Sequence, residues 1–144
     1  MSTTDCIISL WGGPSILGRA VHAEHELIPL LRQGLPFSAL ERTMEAFSLS
    51  REEVAEVLSL PARTLTRRKQ SQRLAAAESD RLYRFSRVLA HAELALGTRA
   101  KATQWLHRPN RALSGACPLA LLDTDIGATE VDDVLGRIEH GVFS

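Results

Sequence analysis

The segment from Arg63 to Arg73 holds the side chains of this sequence that are best suited to contact phosphates and nucleobases. If the segment is helical, Arg63 and Arg67 lie one turn apart and point to the same side, and a guanidinium group can match a guanine edge with two hydrogen bonds. The other cations and the threonine hydroxyls of the segment suit contacts with phosphate oxygens. These are Thr64, Thr66, Arg68, Lys69 and Arg73. A basic, solvated helix in a bundle would have the same composition, so the composition alone leaves both interpretations open.

The charge of the chain is unevenly distributed, although its formal sum over 144 residues is zero. Residues 61–87 contain eight basic and two acidic residues, a net charge of +6, whereas residues 118–144 contain one basic and six acidic residues, a net charge of −5. The basic middle suits phosphate groups, and the acidic end suits a basic protein surface. Two solvated helix faces are the alternative explanation.

Arrangements typical of enzymes and metal sites are incomplete in this sequence. His22 and His25 are one turn apart, but no further ligands follow at metal-binding spacing. Cys117 with His107 or His140 would supply a nucleophile and a base, but no local motif supports such reactivity. A Gly-rich phosphate loop and a dinucleotide-binding motif are both missing. We therefore predict no catalytic residues, no metal, no cofactor and no enzymatic activity.

The elements that position these residues are predicted to be helices. Patterns typical of helix starts occur at Ser38, Ser50 and Thr129, each with an acidic residue three positions later and apolar residues at helical spacing beyond it. Pro61 is well placed to begin a helix that runs from Ala62 to about residue 73. Another helix is predicted from residue 79, with apolar residues on one face. Because no segment alternates with the period of a strand, the predicted fold class is all-α.

The N-terminal part of the chain gives weaker signals. Residues 1–13 are polar and then glycine-rich, and we predict a loose lead-in there. A short helix is predicted around residues 16–25, with Pro29 interrupting any longer one. The sequence shows neither a signal peptide nor an apolar run long enough to span a bilayer, and Cys6 and Cys117 form no disulfide framework. A cytoplasmic protein without membrane contact is the expectation.

The segment 51–70 has the spacing of a helix-turn-helix. Ala55 provides the small residue where two helices cross, Ser59 stands at the sharp turn four residues later, and Leu65 can seat the second helix six residues further on. This spacing resembles the Xre/Cro-type helix-turn-helix, with two departures. Ser59 occupies the turn position, which is usually glycine, and Arg68 occupies a position that is often apolar or aromatic. In this motif the second helix enters the major groove and its N-terminal residues face the base edges.

A longer series of motifs follows the helix-turn-helix and resembles the Xre/MbcA/ParS antitoxin family over roughly residues 35–144. The series begins with Arg63-Thr64-Leu65-Thr66-Arg67-Arg68-Lys69 and Glu78-Ser79-Asp80-Arg81-Leu82-Tyr83-Arg84, continues with Ala102-x-x-Trp105-Leu106-x-x-Pro109-Asn110-x-Ala112-Leu113-x-Gly115 and Pro118-Leu119-x-Leu121-Leu122-Asp123-Thr124, and closes with Gly127-Ala128-x-x-Val131 and Leu135-Gly136-Arg137-Ile138-Glu139-x-Gly141-Val142-Phe143. The resemblance implies an antitoxin of a type II toxin–antitoxin system whose partner is a NAD-consuming RES-domain toxin. NAD would then belong to the partner rather than to this chain.

The resemblance also implies a division of labour along the chain. Residues 1–34 would form the lead-in and short helix, residues 35–78 the helix-turn-helix domain that binds promoter DNA of its own operon, and residues 79–144 a small helical toxin-binding domain. Such a repressor is expected to act as a homodimer or in a larger complex with the toxin. Two alternatives stay open: a stand-alone transcriptional regulator whose C-terminal domain only dimerises, and an antitoxin whose helix-turn-helix is vestigial.

The end of the chain is the predicted point of contact with the toxin. The stretch Arg137–Ser144 is short and ends in Val142-Phe143-Ser144, so it can enter a cleft, with Phe143 as an anchor. Arg137 and Glu139 can meet or mimic charged groups of an NAD site. The predicted toxin-binding residues are Arg137, Ile138, Glu139, His140, Gly141, Val142, Phe143 and Ser144. Alternatively, Ile138 and Phe143 pack on the core of this chain itself.

Overall fold

A computed structural model describes residues 1–141 and confirms the predicted all-α class over that range. Three short 3-10 helices, at Glu24–Glu26, Arg111–Leu113 and Pro118–Leu121, supplement the α-helices. The α-helices are α1 (Thr3–Leu10), α2 (Pro14–Leu17), α3 (Leu27–Gln33), α4 (Phe37–Ala46), α5 (Arg51–Val57), α6 (Ala62–Ser71), α7 (Ala76–Leu96), α8 (Arg99–Leu106) and α9 (Asp125–Glu139). Within residues 1–141, no helix combines the length and the apolar character that a membrane span requires.

Helix α7 is the central element, and α1, α3, α8 and α9 all pack against it. Its predicted apolar stripe is buried at Leu82, Phe85, Val88, Leu89 and Ala92 and partly buried at Leu96. Gly97, with φ of 93°, ends the helix as predicted, because glycine accepts the left-handed conformation without a steric penalty. The buried apolar residues of all parts of the described chain form one continuous core.

The prediction of a loose lead-in at residues 1–13 is wrong. Residues 3–10 form α1, whose N-terminus is closed by a capping box between Ser2 and Asp5. Trp11, directly after α1, is fully buried, and its Nε1–H donates a hydrogen bond of 2.9 Å to Ser86 Oγ on α7. The predicted helix at residues 16–25 is also wrong, because α2 already ends at Gly18, whose φ of 79° is incompatible with a continued helix.

Two of the three predicted helix starts are displaced. Helix α4 begins at Phe37 without a side-chain cap, so Ser38 lies inside it. Helix α9 begins at Asp125, where Thr124 Oγ1 accepts a hydrogen bond from Gly127 N–H, so Thr129 lies one turn inside the helix. A Cβ atom at Gly127 would lie 1.9 Å from the carbonyl oxygen of Leu121, and this close approach explains why a glycine occupies the first turn.

Candidate nucleic-acid and partner interfaces

Helices α5 and α6 form the predicted helix-turn-helix. The α5 N-terminus has the predicted capping box: Ser50 Oγ accepts a hydrogen bond from Glu53 N–H, and Glu53 Oε1 accepts one from Ser50 N–H. Ser59 stands in the turn with φ of 52°, the left-handed region that usually requires glycine. The chain then enters α6 at Ala62, directly after Pro61 as predicted.

The contact between α5 and α6 uses the residues that the spacing indicated. Ala55 is partly buried against the core, and Leu65 is 2% exposed. Arg51 Nη2 donates a hydrogen bond of 3.2 Å to Thr66 Oγ1 and so joins the two helices at the surface. From α7, Arg81 Nη1 donates a bond of 3.0 Å to the carbonyl oxygen of Leu58, one of the carbonyls that the end of α5 leaves without a helical partner.

The outer side of α6 carries free cations. Arg63, Arg67 and Lys69 are exposed, and none of them forms an ion pair or a side-chain hydrogen bond with another residue of the described range 1–141. Arg63 and Arg67 lie one turn apart on this side, as predicted. Thr64 is only half-exposed. The geometry therefore presents two guanidinium groups to solvent near the start of the second helix of the motif.

Two other predicted phosphate contacts have partners within the protein. Arg68 forms a two-pronged ion pair with Glu78 of α7, with Nε–Oε1 and Nη2–Oε2 distances of 2.8 and 3.0 Å. Arg73 Nη1 donates a hydrogen bond of 2.6 Å to the carbonyl oxygen of Gly34. A role for either residue in phosphate binding stays a prediction, but in this structure both fasten α6 and its exit to the rest of the protein.

Glu78 is a buried carboxylate at the junction of α6 and α7. Its Oε1 also accepts a hydrogen bond of 2.8 Å from Ala75 N–H at the start of α7. Burial opposes ionisation of Glu78, but the hydrogen bonds from Arg68 and Ala75 and the charges of Arg68 and Arg81 outweigh it and hold the pKa of Glu78 below its ordinary value. Glu78 therefore carries its charge at neutral pH and ties the basic helix to the central one.

In the described part of the predicted toxin-binding segment, some residues are exposed and others contact the rest of the protein. Arg137, His140 and Gly141 are exposed, whereas Ile138 is half-buried and packs against the core. Glu139 Oε1 lies 2.6 Å from His91 Nε2. The three predicted contacts Val142, Phe143 and Ser144 lie outside the described residues.

His91 of α7 joins two carboxylates of α9, an arrangement that the sequence analysis missed. Its Nδ1 lies 2.9 Å from Asp132 Oδ1, while Nε2 contacts Glu139. Because ionised carboxylates only accept hydrogen bonds, both ring nitrogens must carry a proton to satisfy both contacts. The hydrogen bond to Asp132, together with that to Glu139 and the charges of both acids, raises the pKa of His91, although burial opposes this shift. The available signal was the seven-residue spacing of Asp132 and Glu139, which places them on one face of α9.

A cleft of about 520 Å³ separates α5 from the 3-10 helix Pro118–Leu121. His107 Nε2 contacts Glu53 Oε2 at 3.1 Å across one side of it, and His107 Nδ1 contacts the carbonyl oxygen of Thr103. Cys117 Sγ points to the carbonyl oxygen of His107 at 3.5 Å and not to its ring. The imagined pair of Cys117 and His107 is therefore not formed, and no group of three metal-ligating side chains occurs within residues 1–141.

Comparisons with known proteins match both halves of the chain. The family model described as the antitoxin Xre-like helix-turn-helix domain matches residues 26–87, and the model described as the antitoxin Xre/MbcA/ParS C-terminal toxin-binding domain matches residues 91–141. A protein of Photorhabdus laumondii named antitoxin Xre is 34% identical over 94% of this chain and 90% of its own length.

Two further relatives extend this comparison. A Yersinia enterocolitica protein, also named antitoxin Xre, is 36% identical over 82% of this chain and 81% of its own length. A Sphingobium protein named Prs ADP-ribosylating antitoxin is 24% identical over 81% of this chain and 80% of its own length.

Proposed function

Since this chain belongs to the Xre/MbcA/ParS family of type II antitoxins, we propose that it neutralises a RES-domain toxin and represses the operon that encodes both proteins. Its relatives of this family are antitoxins and not enzymes. The toxin would consume NAD, and the antitoxin would occlude its active site. Repression would be carried out by a homodimer or a larger complex with the toxin.

The observation that carries the DNA-binding part is the free basic surface of α6. Arg63 and Arg67 are exposed one turn apart near its N-terminus, and the ion pair of Arg68 with Glu78 joins α6 to α7. This is the end of a recognition helix that faces base edges in helix-turn-helix complexes. We therefore assign base contacts to Arg63 and Arg67 and phosphate contacts to Thr66 and Lys69.

A binding assay on the promoter of the operon tests this part. We expect Arg63→Ala and Arg67→Ala each to lose about 1–3 kcal/mol of binding free energy on the specific site, and wild-type binding to weaken steeply with salt. Arg111→Ala is the matched control, because Arg111 is also exposed but lies in the C-terminal half. Binding that is absent, or that is indifferent to both α6 substitutions, would favour a vestigial helix-turn-helix.

The toxin-binding part is assigned to residues 79–144, with the end of the chain as the inserting segment. The exposed residues Arg137, His140 and Gly141 lead directly into it, and the net charge of −5 over residues 118–144 suits a basic partner. Its test is growth rescue on co-expression with the RES-domain protein encoded in the same operon. We expect deletion of residues 142–144 to abolish rescue while promoter binding is retained.

Two deletions of different length distinguish insertion of the chain end into the toxin from an effect on the fold of α9. Deletion of residues 139–144 also removes the contact of Glu139 with His91, whereas deletion of 142–144 leaves it in place. Rescue by the shorter deletion would exclude insertion of the chain end. No rescue by the full chain, combined with intact promoter binding, would favour the stand-alone regulator whose C-terminal half only dimerises.

A further inference from the structure

We propose that two copies of this chain join through the outer face of α3, which we define by Glu24, Ile28 and Arg32, in an antiparallel two-fold contact. The 3-10 turn Glu24–Glu26 runs directly into α3 (Leu27–Gln33), so the four-residue spacing places the three residues on one side of a single helical segment. All three residues are exposed. The inference rests on the proposed function, in which a homodimer is one form of the repressor, and names the surface that would join its two copies.

Ile28 presents apolar surface that the fold of a single copy leaves uncovered. It is 46% exposed, whereas Leu27 and Leu30 of the same helix, 1% and 7% exposed, already provide the contact with the core. Together with Leu31 and Tyr83, Ile28 lines a groove of about 560 Å³ between α3 and α7. An isoleucine that a second copy brings to this point therefore meets apolar surface, and its burial favours association.

The charges on the two sides of Ile28 have opposite signs, which suits a contact between identical copies. Glu24 lies one turn before Ile28, and Arg32 lies one turn after it. Within residues 1–141 neither side chain forms an ion pair, and Glu24 accepts a hydrogen bond from the hydroxyl of Tyr83. A two-fold axis repeats every contact, so Glu24 of each copy would face Arg32 of the other while the two Ile28 side chains pack together at the axis. The face is therefore complementary to itself.

The other exposed isoleucine of the described range lacks this arrangement. Ile126 of α9 is 76% exposed, but the charged residues nearest to it along the helix, Asp125 and Glu130, are both acidic. Two copies of that surface would repel each other. The α3 face, by contrast, carries one charge of each sign, so it offers no net attraction to a strongly basic or strongly acidic partner. Its self-complementarity therefore favours a second copy of this chain, and the toxin is the competing occupant.

Sedimentation equilibrium of the full chain, without toxin or DNA, tests the proposal. We expect the wild type to form dimers and Ile28→Lys to weaken dimerisation roughly 30-fold, because two lysines would meet at the axis. Glu24→Arg and Arg32→Glu should each weaken it roughly tenfold, because like charges would then face each other. An equimolar mixture of these two variants should dimerise like the wild type, since the charges of unlike copies are complementary again. Ile126→Lys is the matched control, as it places the same charge at another exposed isoleucine, and it should dimerise like the wild type. Circular dichroism establishes that each variant is folded.

Three results would overturn the proposal in distinguishable ways. If the wild type sediments as a monomer, or dimerises equally well with all α3 substitutions, this face does not join two copies. If the single charge variants dissociate and their mixture stays dissociated, the copies do not meet in the antiparallel two-fold arrangement. If the α3 variants dimerise like the wild type but lose binding to the purified toxin, the toxin covers this face. Promoter binding and growth rescue are measured separately, so a failure of the interface is distinguishable from a failure of the proposed function.

Discussion

Replacement of Glu78 tests whether one carboxylate holds the basic helix α6 to the central helix α7. Glu78→Ala removes three acceptor contacts, two with Arg68 and one with Ala75 N–H. Glu78→Gln keeps an oxygen for one of them but removes the charge. The two variants together separate the hydrogen bond at the start of α7 from the ion pair.

The expected losses follow from the individual contacts. A lost helix-cap bond costs about 1 kcal/mol, and a hydrogen bond between charged groups contributes about 1.5–3 kcal/mol. The Arg68 side chain is 25% exposed and regains water when its partner is removed, whereas that of Glu78 is only 8% exposed, so the lower end of that range applies. We expect Glu78→Ala to lower the free energy of unfolding by about 2–3 kcal/mol and Glu78→Gln by about 1 kcal/mol.

Urea unfolding followed by circular dichroism and tryptophan fluorescence measures these differences. Glu56→Ala is the control, because Glu56 is an exposed glutamate of α5 whose side chain forms no bond with a described residue. The lowered pKa of Glu78 adds a pH signature: its contribution is present above pH about 4.5 and is lost as the pH falls through the lowered value. The reasoning would be refuted if the free energy of unfolding of Glu78→Ala lay within about 0.5 kcal/mol of that of the control, which is about the uncertainty of the urea extrapolation.

Three further outcomes are expected for residues outside this junction. Gly127→Ala should destabilise the fold by about 3 kcal/mol in thermal unfolding, because its Cβ would lie 1.9 Å from the Leu121 carbonyl oxygen. Gly136→Ala on the same helix is the control, because no atom lies within 4 Å of its Cβ, and it should raise the stability by up to about 1 kcal/mol. Ser59→Gly should raise the free energy of unfolding by about 0.5–1 kcal/mol, since φ is 52° at this position; a loss on urea unfolding would contradict this. The raised pKa of His91 predicts that its contacts stabilise α9 below pH about 6.5 and that this contribution is lost as the pH rises through the raised value; His91→Gln should remove this pH dependence from the unfolding free energy.

The helix-turn-helix could be predicted because its signals are local. The capping box of Ser50 with Glu53 and the position of Pro61 before α6 depend only on neighbours within four residues. Ser59 departs from the motif, because this turn position is usually occupied by glycine. The structure places Ser59 in the left-handed conformation all the same, so the rest of the motif determines the turn and the residue type adjusts its cost.

The parts that sequence analysis missed depend on residues that are distant in the chain. Trp11 belongs to the core because it meets Ser86, which is 75 residues away. His91 becomes significant only when α9 brings Asp132 and Glu139 to it. No local sequence pattern indicates these long-range contacts. The glycines after Trp11 give a buried segment the composition of a loop.

Helix α7 has a consequence for how such proteins can change in evolution. The two family models meet within it, between residues 87 and 91, and its 21 residues supply one wall to both halves of a continuous core. A recombination event at this boundary would join two half-helices whose buried faces were shaped by different neighbours. The two halves of the core are therefore inherited as one unit, and a hybrid of two such proteins requires the junction to be moved outside residues 76–96.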